Sequence, residues 1–249
     1  MQNNLAPICL FVYNRIEETK LTISALQANF LANESDLIVF SDGYKHENDA
    51  YSVRIVRDFV RNISGFRSVK IIESLNNKGL AQSVIVGVSL VLQKSESIIV
   101  LEDDLEVTKN FLKTINLLLE KYKNNKSITS ITGYSFPDSE IKNNSINKNF
   151  FLLKRPSSWG WATWSYKWDK MKKIKVSKRL KAYDYGNDLE IMRIKNKKKI
   201  LNSWAYDWTI KHIHSKKFCI YPKYSMIKNN GFDNDATNNF FRTKKYFFN

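Results

Sequence analysis

The chain has 249 residues, 43% of them hydrophobic, enough for one large domain or two closely packed halves. It holds no apolar run near the ~20 residues that span a bilayer, and its two cysteines, Cys9 and Cys219, suit neither a disulfide framework nor a zinc site. The formal net charge of +16 is lopsided: residues 1–125 carry 14 Lys+Arg against 15 Asp+Glu, and residues 126–249 carry 26 against 9.

The second half is therefore set to face something anionic: nucleic acid, a lipid diphosphate or an anionic membrane surface. A Lys- and Asn-rich composition bias would decorate it in the same way. No basic-then-apolar leader opens the chain, so a cytoplasmic protein is expected, with peripheral contact at the inner face of the membrane if the charge meets lipid.

Ile8-Cys9-Leu10-Phe11-Val12-Tyr13 reads as a buried strand ending at Asn14-Arg15, and Ile16, Ile23, Leu26 and Phe30 follow at helical spacing. Leu37-Ile38-Val39-Phe40 is a second strand, ending in Ser41-Asp42-Gly43, followed by a helix with Val53, Val56 and Val60 inward. Val69-Lys70-Ile71-Ile72 is a third strand; the turn Asn76-Asn77-Lys78-Gly79 leads to a helix with Leu80, Val84, Val88 and Val91 on one face. The fourth strand, Ile98-Ile99-Val100-Leu101, runs into Glu102-Asp103-Asp104, and a helix with Phe111, Ile115, Leu118, Leu119 and Tyr122 follows. Repeated strand-then-helix units predict an α/β fold, a mostly parallel twisted sheet with helices on both faces.

Three adjacent acids at a strand end cannot be buried unpaired, because desolvating each costs several kcal/mol (order of magnitude), so water or a cation must meet them. In open α/β sheets ligands sit at the carboxyl ends of strands. There Asn14, Arg15, Asp42, the Asn77–Gly79 turn and the acidic triplet should converge. An oxygen-rich cluster in that place suits a divalent cation such as Mn²⁺ or Mg²⁺ carrying a phosphorylated ligand. No G-x-G-x-x-G follows the first strand and no phosphate-binding G-x-x-x-x-G-K-[ST] occurs, which argues against a dinucleotide dehydrogenase and a P-loop enzyme.

Ser127–Thr132 reads as a fifth strand, Gly133–Asn149 as a mobile loop and Phe150–Leu153 as another strand. Trp159-Gly160-Trp161-Ala162-Thr163-Trp164 packs three indoles into six residues; such rings serve equally as core or as stacking faces for sugar. Lys170–Lys181 and Lys195–Lys199 are basic runs of solvated character. A helix is expected over Ser203–His214, with Asp207 between Trp204 and Trp208. Asp207 is either a partly desolvated base or a surface acid paired with Lys211 one turn on. His212 and His214 point in different directions and are not a metal pair. Phe218–Tyr221 is a short strand, residues 229–233 a turn, and the Phe-rich tail a flap or a disordered end. The chain reads as a single domain with a nucleotide-like half, about 1–133, and a partner-facing half, about 134–249.

Tyr13-Asn14-Arg15, Ser41-Asp42-Gly43 and Asn77-Lys78-Gly79-Leu80 resemble the pattern of family 2 nucleotide-sugar glycosyltransferases of the GT-A, Rossmann-like fold. Leu101–Val107 with Phe111 resembles the metal-binding stretch of the N-acetylglucosaminyltransferase I family, and Trp159-Gly160-Trp161, Trp204–Trp208 and Pro222–Gly231 follow its order. The resemblance runs from Pro7 to about Thr237 and implies nucleotide-sugar binding for the first half, 1–133, and acceptor binding for the second, 134–249. It implies a UDP-sugar donor held by Asn14, Arg15, Asp42, Lys78, Glu102 and Asp103, with Arg15 on the diphosphate, Asp42 on the base and Asp103 on the ribose. It also implies Asp104 as ligand to Mn²⁺ or Mg²⁺, Asp207 as general base, and a saccharide or lipid-linked saccharide acceptor against Trp159, Trp161 and Trp204. Tyr206-Asp207 stands where the relative has two acids, leaving one candidate base.

The reading that follows is an inverting, metal-dependent glycosyltransferase acting in bacterial surface polysaccharide synthesis. A sugar nucleotidyltransferase is the rival enzyme, although no Gly-rich basic loop follows the first strand. A nucleic-acid-binding protein would use the charge and the aromatics but leaves the acidic triplet without a role, so no nucleic acid is expected.

Overall fold

The computed structural model describes residues 5–136, 149–176, 185–198, 200 and 202–231. Among these, strands β1 (Ile8–Val12), β2 (Asp36–Ser41), β3 (Ser68–Glu73), β4 (Ser97–Glu102), β6 (Ile128–Thr132), β7 (Phe150–Leu153), β8 (Trp161–Trp164) and β9 (Phe218–Pro222) form one sheet in the order β3-β2-β1-β4-β8-β6-β9-β7. β3, β2, β1 and β4 are parallel. β8 runs antiparallel between β4 and β6, β9 is parallel to β6, and β7 is antiparallel at the edge. β5 (Leu105–Val107) pairs separately with β10 (Ile227–Asn229).

Helices α1 (Ile16–Gln27), α2 (Ala50–Val60) and α4 (Phe111–Tyr122) cover one face of the sheet, and α3 (Leu80–Leu92), α5 (Ser165–Lys172) and α7 (Trp204–His214) the other; α6 (Asn187–Lys197) packs on α7. Both faces are covered, which is why the strands read as unbroken apolar runs. Ile8, Leu10 and Val12 join Ile99 and Leu101 in one core, with Ile23, Val56 and Ile115 from the helices. Cys9 and Phe11 join Ile98 and Val100 in the other, under Val84 and Val88 and four tryptophans, Trp161, Trp168, Trp204 and Trp208. Cys9 and Cys219 are both buried free thiols.

Most expected elements are present within a residue or two. Phe30 is a difference: α1 ends at Gln27, and Phe30 lies exposed beyond it. Pro222 lies within β9 rather than after it; β9 is an internal strand, but its partner there is the first residue of the edge strand, Phe150. β5, β8, α5, α6 and β10 were not foreseen. Most of the expected loop over Gly133–Asn149, the last two residues of the expected 229–233 turn and the whole of the tail lie outside the described residues.

His212 is buried beneath β6, with Thr129 Oγ1 3.1 Å from Nδ1 and Ser130 Oγ 3.4 Å from Nε2, and the Trp208 ring packs against it edge-on. Burial pushes its pKa from 6.5 down to about 3, so the folded protein holds it neutral. The unfolded chain takes up that proton as pH falls below 6.5, while the folded chain resists until about 3. The stability contributed is therefore complete above pH 6.5 and lost on the way down to about 3. Urea unfolding across that range should show wild type losing more stability than His212→Gln; parallel losses would contradict the assignment.

Candidate active site

The carboxyl ends of β1, β2 and β4 meet at one edge of the sheet, and the residues there are joined by hydrogen bonds. Arg15, the residue before α1, places Nη2 2.7 Å from Asp103 Oδ1 and 3.1 Å from Asp104 Oδ2. The Tyr13 amide donates to Asp103 Oδ2 at 3.3 Å, and Thr22 on α1 donates to the Asp103 carbonyl at 2.8 Å. The turn between β4 and β5 is thus fastened to the start of α1. Burial works against the Arg15 charge, but Asp103 and Asp104 more than offset this and raise its pKa above the usual value. Asp103 is raised chiefly by burial, with Arg15 pulling it back; Glu102 is raised by burial and then by Asp104 and Asp103. Arg15 bonds to two of the three acids, Asp103 and Asp104.

Asp42, buried at the end of β2, is bound to the chain itself. Its Oδ1 accepts from the Gly43 and Lys78 amides at 2.9 Å each, and its Oδ2 from the Gly79 amide at 2.8 Å. It therefore pins the 76–79 turn and the start of α3, a task the sequence reading had not given it. Gly43 permits the approach, since a Cβ there would lie 2.5 Å from the Asn76 backbone. Arg57 adds a second clamp through the carbonyls of Asp42 at 3.1 Å and Ser74 at 2.7 Å. Tyr13 extends the site: its hydroxyl donates to Asp49 at 2.9 Å and accepts from the Lys45 amide at 2.9 Å. Arg57 and Asp49 sit inside helical sequence with no distinguishing pattern, so periodicity could not single them out. Asn14 is half-buried beside Arg15, and the Lys78 side chain is exposed.

The second half supplies the floor. The Asn230 amide donates to the Asp104 carbonyl at 2.8 Å, and Lys228 pairs with Glu106 at 3.5 Å across the β5–β10 ladder. Gly160, at φ +53°, and Gly231 let β10 and its turn lie this close: a Cβ on Gly231 would fall 2.1 Å from Asp104 Oδ2. The missing side chain lets the Gly231 backbone pack against that carboxylate.

The tryptophans are placed differently from the expectation of acceptor contact. Trp161 is 1% exposed and Trp204 5%, and their rings pack on each other with centroids 5.3 Å apart. Trp168 and Trp208 close the cluster around Trp161. In this conformation neither Trp161 nor Trp204 presents a face to a sugar; both are core, because protein rings already cover them. Trp159 is half-buried, edge-on to Tyr134 at 4.6 Å. Asp207 stands exposed in the first turn of α7, whose N-cap Ser203 accepts from the Tyr206 amide at 3.2 Å. Its carboxyl is raised by burial of part of its surroundings, with Lys211 opposing. Lys211 donates to the Lys172 carbonyl at 3.2 Å and forms no ion pair with Asp207. Among the described residues no hydrogen bond or ion pair links Asp207 to the acidic cluster.

Hard divalent cations fit the donor set in chemical type, since every side-chain donor at Asp103 and Asp104 is a carboxylate oxygen. Among the described residues no group of three or more His, Cys, Asp or Glu side chains is arranged to hold such an ion. An ion there would rest on Asp104 and draw its remaining ligands from water and substrate. The Gly231 contact is open to test by a double-mutant cycle. Gly231→Ala should lower stability by about 1–3 kcal/mol in urea unfolding, as overpacking does, and should cost much less when Asp104 is already Ala. Equal costs in both backgrounds would show that the Asp104 carboxylate is not what Gly231 accommodates.

No family model matches the chain, and no curated protein matches it. Among solved structures, S. aureus TarS superposes over 89% of this chain with a TM-score of 0.52 at 13% identity, the match covering 36% of the TarS chain. A structure of TarS 1–349 gives 0.48 at 11% identity, over 89% of this chain and 59% of that one. The mannosyltransferase PcManGT from Pyrobaculum calidifontis, solved with GDP-Man and Mn²⁺, gives 0.35 at 10% identity, over 52% of this chain and 36% of that one. The chain spans about a third of the length of the longer TarS structure. The mixed, mostly parallel sheet and its likeness to TarS establish a GT-A-type, Rossmann-like α/β fold.

Proposed function

We propose that the chain is an inverting, metal-dependent glycosyltransferase that moves a sugar from a UDP-sugar to a saccharide acceptor, lipid-linked in the assembly of a bacterial surface polysaccharide. The observation that carries this reading is the convergence of Arg15, Asp103 and Asp104 at the carboxyl edge of the parallel strands, beside the turn pinned by Asp42. The GT-A fold and the motif resemblance point the same way. The +16 charge and its concentration after residue 125 support an anionic acceptor carrier at the inner face of the membrane.

In this reading Arg15, half-buried and permanently charged, binds the donor diphosphate and holds it against the strand edge. Asp103, fixed by Arg15 and the Tyr13 amide, receives the ribose. The Asp42-pinned turn shapes the base pocket, with Lys78 at its rim. Asp104 would hold Mn²⁺ or Mg²⁺, and such an ion would supply positive charge to the leaving diphosphate. Asp207 takes the proton from the acceptor hydroxyl as its oxygen bonds to the anomeric carbon and the carbon–diphosphate bond breaks. Its raised pKa makes it a stronger base than an ordinary aspartate.

A transfer assay with purified protein, a sugar nucleotide and Mn²⁺ tests the roles, with the donor chosen from a thermal-shift panel of UDP-, GDP-, CDP- and TDP-sugars. Asp207→Asn should lower kcat by about 10²–10⁴-fold, the usual contribution of a general base. In wild type, activity should fall with acid through a pKa above 3.8, the ordinary aspartate value. Asp104→Ala should remove the metal dependence together with the activity; full metal-dependent activity in that variant would refute the metal assignment.

A further inference from the structure

α3 is a surface helix without one charged residue, in a chain of which 26% is charged. The helices on the opposite face, α1, α2 and α4, all carry ionic side chains. The inner side of α3 is spent on the sheet through Val84, Val88 and Val91. Its outer side is also aliphatic: Ile85 is 37% exposed, Val86 42% and Leu90 44%. Val86 and Leu90 stand one turn apart and form a strip.

Cations border that strip. α5 lies beside α3, where Trp168 Nε1 donates to Ser89 Oγ at 2.9 Å and Lys172 Nζ reaches the same oxygen at 3.4 Å. Lys173 follows Lys172, and Lys94 stands just beyond the end of α3, both exposed. Of the neighbouring acids, Glu96 faces Lys123 at 4.0 Å and Asp169 pairs with Lys172 at 2.9 Å, so that Lys94 and Lys173 are the border lysines that meet no acid among the described residues.

We propose that the outer strip of α3, with Lys94, Lys172 and Lys173 at its border, is a docking face for an anionic lipid bilayer. Aliphatic side chains sink into the boundary between headgroups and acyl chains, while lysines meet anionic headgroups. A second copy of the chain is the poorer occupant. A two-fold interface sets the same patch against itself, and here lysines would oppose lysines. The net charge of +16 favours an anionic surface in the same sense. α3 also begins at the candidate site, where Asp42 holds the Gly79 amide, so a docked α3 brings that edge of the sheet to the membrane. The face stands on its own chemistry, apart from the transferase reading.

Flotation of the full chain with vesicles of phosphatidylcholine, alone or mixed with phosphatidylglycerol, tests the proposal. Wild type should float with the mixed vesicles and not with phosphatidylcholine alone. Val86→Ser with Leu90→Gln should weaken binding about tenfold or more by removing the apolar anchor. Lys172→Glu with Lys173→Glu should do the same, since each lysine near an anionic surface is worth roughly fivefold. Hydrolysis of a soluble sugar nucleotide should be unchanged in both pairs, which separates failure of this face from failure of the proposed activity. Absence of binding, binding unaffected by the Val86/Leu90 pair, or a dimer by light scattering that this pair dissolves would overturn the proposal.

Discussion

A strand buried on both faces that ends in three consecutive carboxylates needs positive charge at its mouth, and Arg15 provides it. Its Nη2 lies 2.7 Å from Asp103 and 3.1 Å from Asp104, with both acids nearly out of water. Unpaired, those acids would cost several kcal/mol (order of magnitude) each. The bond also joins the first strand–helix unit to the fourth, 88 residues apart in sequence. Around it the Tyr13 amide, Thr22 and the Asn230 amide fix the β4–β5 turn from three other elements. Fold and site therefore depend on one electrostatic constraint: the ion pairs that make the acidic turn tolerable also fix its position at the sheet edge.

The two faces of the sheet do different work. On one, α1, α2 and α4 close an aliphatic core and carry ionic side chains outward. On the other, four tryptophans fill the space between sheet and helices, and α3 turns aliphatic side chains to both sides. Asp207 rises from this second layer, in the first turn of α7. The indole cluster packs beneath the first turn of α7, from which Asp207 projects.

Much of the first half was legible, because buried parallel strands and amphipathic helices give strong, distinct periodicities. Ile98–Leu101 and Phe111–Tyr122 lie where the pattern put them. The polar strand ends converge because a parallel sheet leaves them no other place. The second half was less legible for particular reasons. β8 carries Trp161 and Trp164 on opposite faces of a strand inserted antiparallel between β4 and β6, so its residues are all buried and show no alternation. β5 and β10 are three residues each, too short to show a period. Lys167 lies among residues that look solvated, yet it is buried with Nζ 3.3 Å above the Trp164 ring and bonded to the Tyr122 carbonyl. That Asp42 pins the 76–79 turn was not legible, since a single sequence does not show which backbone amides a carboxylate will meet.

The account rests on a cation and a nucleotide diphosphate sharing the edge where Arg15 faces Asp103 and Asp104. Anomalous diffraction from crystals grown with UDP and Mn²⁺ examines this directly. A manganese peak against the Asp104 carboxylate, with the diphosphate lying between it and Arg15, is the predicted result. A manganese peak or nucleotide density remote from Asp104 would contradict the account.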